Sequence, residues 1–485
     1  MTVERRTFIK LGAGAALAGG PFAGFVNSPA GAVTAPSRPL SGLHPVKDKR
    51  DGKVRLHLPR GFQYRSFHDT EEPVVLADGT QLRGRHDGMG AFGNPDGTIT
   101  LVRNHEVNGS PGAFGPAGPH RYDAQAGGGT TSVLVDHHGN VLDSWTSLSG
   151  TMMNCSGGIM PWGSWVTCEE TVNGPDVGPD FTGAPNVGLE KPHGYIFEVP
   201  SNGHGNGEPI KRAGRFAHEA VAWDPVGKRL YMTEDNFAFA SGFYRYTPGT
   251  DPAESGRITD DGTLEMLKVV GEDNAHLEGH QERGTTYDVE WVPIENPDPD
   301  FDYTPGQVAP TSNDDALTYV GSQGWDQGAA YFSRLEGQVY EDGIVYFTST
   351  QGGGAPEEGN HDGSGYGNGF GQVWAYDTAA STLTLVYESP DRDTLDFPDN
   401  ITTREGHLVI CEDGPDDNYL RVLRPDGKLW NLAWNQLRSR TGGDRTDDEF
   451  AGSTFTPDGR TLYVNIQASN GMTFAIWGPW ASFGL

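Results

Sequence analysis

Pro95-Asp96-Gly97-Thr98-Ile99-Thr100-Leu101-Val102-Arg103-Asn104-His105-Glu106 is the stretch on which the reading of the fold turns. Proline followed by Asp-Gly marks a tight turn, the β-branched and apolar residues after it favour an extended strand, and polar residues close the segment. The same plan returns at Trp162-Gly163 through Trp165-Val166-Thr167 to Glu169-Glu170, and at Pro225-Val226-Gly227 through Leu230-Tyr231-Met232 to Glu234-Asp235-Asn236. It returns again at Asp342-Gly343 through Ile344-Val345-Tyr346-Phe347 to Thr348-Ser349-Thr350, and at Glu405-Gly406 through Leu408-Val409-Ile410 to Glu412-Asp413. The last copy runs from Pro457-Asp458-Gly459 through Leu462-Tyr463-Val464 to Asn465-Ile466-Gln467.

The unit recurs about every sixty residues, with one doubled interval between Asp235 and Thr350. Self-similarity at a fixed period marks a repeat architecture, and radial sheets around a channel set equivalent strand ends on one face. The expected fold is all-β: a six-bladed β-propeller with loop insertions, one of them around residues 251–310. A pair of β-sandwiches competes, but leaves the common phase of the acidic strand ends unexplained. Residues 33–485 are expected to form this single propeller. Glycine at about one residue in seven, and short runs bounded by turns, agree with it. No long helical period stands out.

Residues 1–32 read as a twin-arginine export signal. Arg5-Arg6-Thr7-Phe8-Ile9-Lys10 pairs two arginines with a hydrophobic residue, a glycine-broken apolar stretch follows from Leu11 to Val26, and Ala30-Gly31-Ala32 offers a small-residue cleavage site. The apolar stretch is too short and interrupted to span a membrane. Cleavage before Val33 would take the net charge from −30 to −32, which argues against nucleic acid and anionic lipid as partners. The expected location is outside the cytoplasm, whether periplasm, cell wall or medium, with no membrane anchor; a monomer is the default. Three cysteines, Cys155, Cys168 and Cys411, are too few for a disulfide scaffold and leave an odd thiol that needs either burial or a metal.

Four strand ends carry carboxylates: Glu106, Glu169-Glu170, Glu234-Asp235 and Glu412-Asp413. Successive residues of a strand face opposite sides, so one member of each doublet can point into the channel while its neighbour supports it. Like charges gathered in a channel need protons or cations. Oxygen donors favour calcium, and the same donors with a thiolate can hold iron. No Gly-x-Ser-x-Gly elbow, phosphate-binding loop, HExxH or EF-hand pattern is present. His105 and His218 adjoin proposed ligands and are expected in supporting roles.

Asn154-Cys155-Ser156-Gly157-Gly158, Pro161-Trp162-Gly163-Ser164-Trp165, Thr167-Cys168-Glu169-Glu170, Gly214-Arg215-Phe216-Ala217-His218-Glu219-Ala220 and Arg334-Leu335-Glu336-Gly337 together resemble the PhoX family of bacterial alkaline phosphatases. His86-Asp87-Gly88-Met89, Asn104-His105-Glu106, Pro398-Asp399-Asn400-Ile401 and Cys411-Glu412-Asp413-Gly414 extend the likeness over nearly the whole chain after the signal. The resemblance implies a six-bladed propeller, twin-arginine export, and hydrolysis of small phosphate monoesters at a centre of two irons and three calciums. By matching motifs it implies Cys155, Glu219 and Glu336 on the iron side, and Glu106, Glu169, Glu170, Glu234, Asp235, Glu412 and Asp413 on the calcium side. Arg334 matches the phosphate-binding arginine, and Asn154 is a second phosphate contact. The matching motifs do not identify a second cationic phosphate contact, such as a lysine. Two other functions compete: a calcium-dependent propeller hydrolase of a lactone or phosphodiester, and a calcium-stabilised binding propeller without activity.

Overall fold

The computed structural model describes residues 21–27, 42–356 and 366–485. The Arg5-Arg6 motif, the Ala30-Gly31-Ala32 cleavage site and the middle of the acid-rich loop 352–371 lie outside the described residues.

Each copy of the sequence unit forms the second strand of an antiparallel array, reached by a hairpin from a preceding inner strand. The inner strands are His86–Gly93, Asn154–Met160, His218–Asp224, Leu335–Glu341, Pro398–Arg404 and Phe450–Phe455. Each packs against the next, and Phe450–Phe455 packs back against His86–Gly93, so the six close a ring. This is a β-propeller. Its strands hydrogen-bond into five sheets, because the third and fourth arrays are fused at their outer edges by Thr286–Ile294 into one sheet of nine strands. Gln63–Phe67, from the start of the described chain, pairs with Met472–Trp477 near its end and ties the ring shut.

The core is distributed between the arrays. Val166, Ile196, Val221 and Met232 interlock between the second and third, and Val409, Val422, Val464 and Phe474 between the fifth and sixth. Fully burying each such side chain stabilises by about 1.5–3 kcal/mol.

The interval from Asp235 to Thr350 holds the outer strands Phe243–Thr247 and Thr263–Val269, the bridging strand and a helix, Asn313–Trp325, which the sequence reading missed. The helix is capped by Ser312, whose hydroxyl accepts from the Asp315 amide, and it seats Gly324 against Met266. Its weak amphipathic pattern and internal glycines hid it. The bridging strand also continues through Pro293, a residue type that ordinarily ends a strand. That half pairs with one strand only, so the missing N–H of proline costs no ladder bond.

All six hairpins carry the same irregularity. The register slips between His86 and Met89, Asn154 and Gly157, His218 and Val221, Leu335 and Gln338, Pro398 and Ile401, and Ala451 and Thr454. A bulge of this kind re-aims one side chain out of the pleat. Glycine after the re-aimed residue lets neighbouring inner strands touch: a Cβ on Gly88 would lie 2.5 Å from Ser156 Cα, and one on Gly337 would lie 2.7 Å from Asn400 Cα. The bulges are clasped across units by the residue two places before each unit's end. Asn104 Nδ2 donates to the Cys155 carbonyl at 2.8 Å, Thr233 Oγ1 to that of Glu336 at 2.6 Å, Thr348 Oγ1 to that of Asp399 at 2.6 Å and Asn465 Nδ2 to that of Asp87 at 2.5 Å. Cys168 and Cys411 occupy this same repeat position, Cys411 bonding to Ser453, which gives the two thiols a packing role. All three cysteines are buried and unbridged.

Candidate metal centre

The bulge residues of the first five units are Asp87, Cys155, Glu219, Glu336 and Asp399. Cys155 Sγ and carboxylate oxygens of Glu170 and Glu219 lie within 4.8 Å of one another, and so do carboxylate oxygens of Glu219, Glu336 and Asp399. Glu219 belongs to both groups. Cys155, Glu219 and Glu336, which the resemblance puts on the iron side, are thus brought together, though through two subsites. Glu170, expected on the calcium side, sits with the thiol.

The two members of each doublet separate as strand alternation requires. Glu169 is wholly buried and faces away: its carboxylate accepts from the amides of Met152 (2.9 Å), Gly194 (2.9 Å) and Tyr195 (3.1 Å) and from His193 Nδ1 (2.6 Å). Burial by itself lowers His193, but the carboxylates of Glu169 and Asp123 outweigh it and hold the ring raised to about 9, hence an imidazolium. Glu234 accepts from the Gly242 amide and the Tyr244 hydroxyl, and burial raises it to about 8. Glu412 accepts from the Asp396 and Tyr419 amides and from Arg421 Nε. These three acids fasten their hairpins. The second members, with Glu106, stand one residue on, where each amide donates to the residue that precedes an inner strand: Glu106 to Arg85 (3.0 Å), Glu170 to Met153 (2.9 Å), Asp235 to Ala217 (3.1 Å) and Asp413 to Phe397 (3.0 Å). Thr350 to Arg334 (3.0 Å) and Gln467 to Glu449 (3.1 Å) complete six equivalent bonds.

Electrostatics single out the channel side. Burial, then Glu336 and Asp399, drives Glu219 well above the usual carboxylate range; burial, then Asp235, does the same to Glu170 and to Glu336. Burial and the facing Asp413 push Asp399 up to about 7, and burial raises the Cys155 thiol. Asp87 is raised by burial and by Asp399; Gln467 Nε2 donates to its Oδ2 at 2.5 Å, while its buried Oδ1 has no partner among the described residues. Glu449, on the sixth unit, is likewise raised by burial and by Asp413. Acids held this way ionise together only around cations. Asp87, Asp399 and Glu449 were not among the sequence candidates. The signal was available for two of them: each opens an acid-plus-small-residue pair, Asp87-Gly88 and Asp399-Asn400, in register with Glu336-Gly337.

Arg334 lies over this cluster. Its Nη2 meets Asp235 Oδ2 at 2.8 Å and Glu336 Oε1 at 3.1 Å, and its Nε meets Asp235 Oδ1 at 3.2 Å. It is an ion pair with Glu336, but a deeply set one. Asn154 is turned inward: Thr151 Oγ1 donates to its Oδ1 (2.7 Å) and its Nδ2 donates to Thr167 (3.0 Å). His105 and His218 are buried and pushed down to about 3 by desolvation, bonded to Thr131 and to the Gly214 carbonyl.

A propeller whose axis gathers buried acids and a thiol beneath an arginine is the frame of a metal-dependent hydrolase. The family model for alkaline phosphatase PhoX matches residues 41–145 and 138–470, and the chain belongs to that family. It is a metal-dependent alkaline phosphatase. Among solved structures it is similar to Pseudomonas fluorescens PhoX in complex with vanadate, a transition state analogue, at 16% identity and a TM-score of 0.60 over 90% of this chain and 97% of that one. A Xanthomonas campestris gluconolactonase, XC5397, is more remote, at 11% identity and a TM-score of 0.40 over 91% of this chain and 99% of that one. Comparison with curated proteins gives no significant match.

Proposed function

We propose that the chain is exported by the twin-arginine route and hydrolyses phosphate monoesters at an iron and calcium centre on the propeller axis. The observation that supports it best is the pair of donor groups sharing Glu219. A thiol with two carboxylates suits iron, and an all-carboxylate neighbour suits iron or calcium; Glu219 would be a donor available to either group. The orphaned Asp87 Oδ1, with Asp399, Asp413 and Glu449 nearby in charge, offers hard oxygen donors for calcium. Of each doublet, the second member and not the first is the ligand: Glu170, Asp235 and Asp413, with Glu106. Glu169 and Glu412 already spend both oxygens on amides and side chains, and Glu234 spends its Oε2 on the Gly242 amide and the Tyr244 hydroxyl.

Bound metals would supply charge neutralisation and an activated oxygen nucleophile. The chain's own part is to place the phosphate. Asp235 and Glu336 hold Nε and Nη2 of Arg334, and Nη1, without a partner among the described residues, is left to donate to a phosphate oxygen. Buried acids exclude a second bulk anion, so the ester enters only where the arginine offsets them. Asn154, bonded to Thr151 and Thr167, positions the Cys155 bulge. No side-chain nucleophile is needed.

Metal analysis of the purified protein should find iron together with calcium, and Arg334→Ala should lower kcat/KM for p-nitrophenyl phosphate about 100-fold, the loss of roughly 3 kcal/mol of charge-assisted bonding. Calcium without iron, or unchanged kinetics in the variant, would overturn the reading.

A further inference from the structure

Each unit sets one side chain immediately before its inner strand, at the carbonyl that receives the six equivalent amide bonds: Arg85, Met153, Ala217, Arg334, Phe397 and Glu449. The backbone is left-handed at Arg85 (φ 49°), Met153 (46°), Arg334 (40°) and Phe397 (46°). Four of the six units share this turn, and what distinguishes the first and fourth among them is the arginine placed on it. These two stand three places apart in a ring of six inner strands, on opposite sides of the axis.

Their surroundings differ in one respect that bears on use. The Arg334 side chain is 15% exposed and that of Arg85 is 41% exposed. Arg85 Nε donates to the Glu106 carbonyl at 3.0 Å, and its guanidinium pairs with the Glu106 carboxylate. It is thus fixed at the rim, beside Asp87, whose ionised form its charge favours. A rim lined by carboxylates repels any anionic group on the departing part of an ester. A guanidinium held there by its Nε edge still offers donors suited to a carboxylate or phosphate.

We infer that Arg85 is a specificity residue: it receives a second anionic group, carboxylate or phosphate, on the leaving-group side of an ester whose phosphoryl group Arg334 holds. This rests on the role proposed for Arg334. The preferred substrates are then phosphate esters of acids or of other phosphorylated alcohols.

The test compares 3-phosphoglycerate with glycerol 1-phosphate, which differ by one carboxylate, using inorganic phosphate as a competitive inhibitor. Arg85→Ala should lower kcat/KM for 3-phosphoglycerate at least about tenfold relative to glycerol 1-phosphate, leave phosphate inhibition within about twofold, and be partly rescued by Arg85→Lys. Parallel loss on both esters, weakened phosphate inhibition or no change in the substrate ratio each overturns it. Metal content and circular dichroism of the variant identify a parallel loss caused by misfolding, and Arg85→Lys then decides, since it must favour the carboxylate ester over Arg85→Ala or the inference fails. Arg334→Ala in the same series should weaken phosphate inhibition; if it does not, the Arg334 reading fails while the substrate ratio still reports on Arg85.

Discussion

The fourth and sixth units of the ring share a hydrogen-bonding plan and differ in chemistry. Both have a bulged inner strand, a clasp to the next unit, from Thr348 and from Asn465, and the amide-to-carbonyl bond at the strand end. At the three positions this device presents, the fourth unit carries Arg334, Glu336 and Thr350, and the sixth carries Glu449, Ala451 and Gln467. Ala451, which pairs with Asn465 just before the register slips, offers no donor. The repeat is thus a holder that closes the ring whatever it displays, and the centre is asymmetric because side chains, not strands, vary around it.

Removing the metals should do most to break this equivalence. Chelation is expected to abolish activity and to make stability depend on pH. Asp399 has an ordinary value of 3.8 and a folded value of about 7, so its protonated form contributes stability that is fully present below about pH 4 and lost as pH rises through 7. Glu170, Glu219 and Glu336 are raised in the same direction. Metal-free protein should therefore melt at a lower temperature at pH 8 than at pH 5, and reloading should remove the difference; a flat profile without metal would contradict the buried-acid account.

Next in size, Glu336→Gln should cost at least about 100-fold in kcat, equivalent to roughly 3 kcal/mol of transition-state stabilisation, while Ala451→Ser stays within about twofold. Equal effects would mean that the bulge position matters for folding alone. The doublets sharpen the contrast within one hairpin. Glu170→Gln should reduce metal content and activity with little change in melting temperature, whereas Glu169→Gln, which weakens a carboxylate bonded to three amides and an imidazolium, should cost about 1–3 kcal/mol of stability. Smallest of all, Asn465→Ala should cost about 1 kcal/mol in denaturant unfolding and leave kcat/KM nearly unchanged.

Much of the fold was legible because turn, strand and acidic end recur in linear order, and local chemistry dictates each. The bridging role of Thr286–Ile294 was not, since a strand that fuses two arrays looks like any other until its second partner is known. The helix Asn313–Trp325 escaped because tertiary packing of Gly324 on Met266, rather than periodicity, holds it. At the site, the doublets were visible but their division of labour was not: Glu169 and Glu170 are chemically alike, and only the position of the Met152, Gly194 and Tyr195 amides decides which of them is engaged.

By itself, then, the sequence determined a repeated β-unit, its acidic strand ends and the motifs of a phosphatase family, all properties carried by neighbouring residues. Only the tertiary structure decided that Asp87 and Asp399 stand in register with Cys155, Glu219 and Glu336, that Glu219 is shared, and that Arg85 and Arg334 belong to opposite units of the ring. Those relations join residues from different units through bulges and ring closure, and no local pattern fixes the distance between side chains that meet only when the ring is shut.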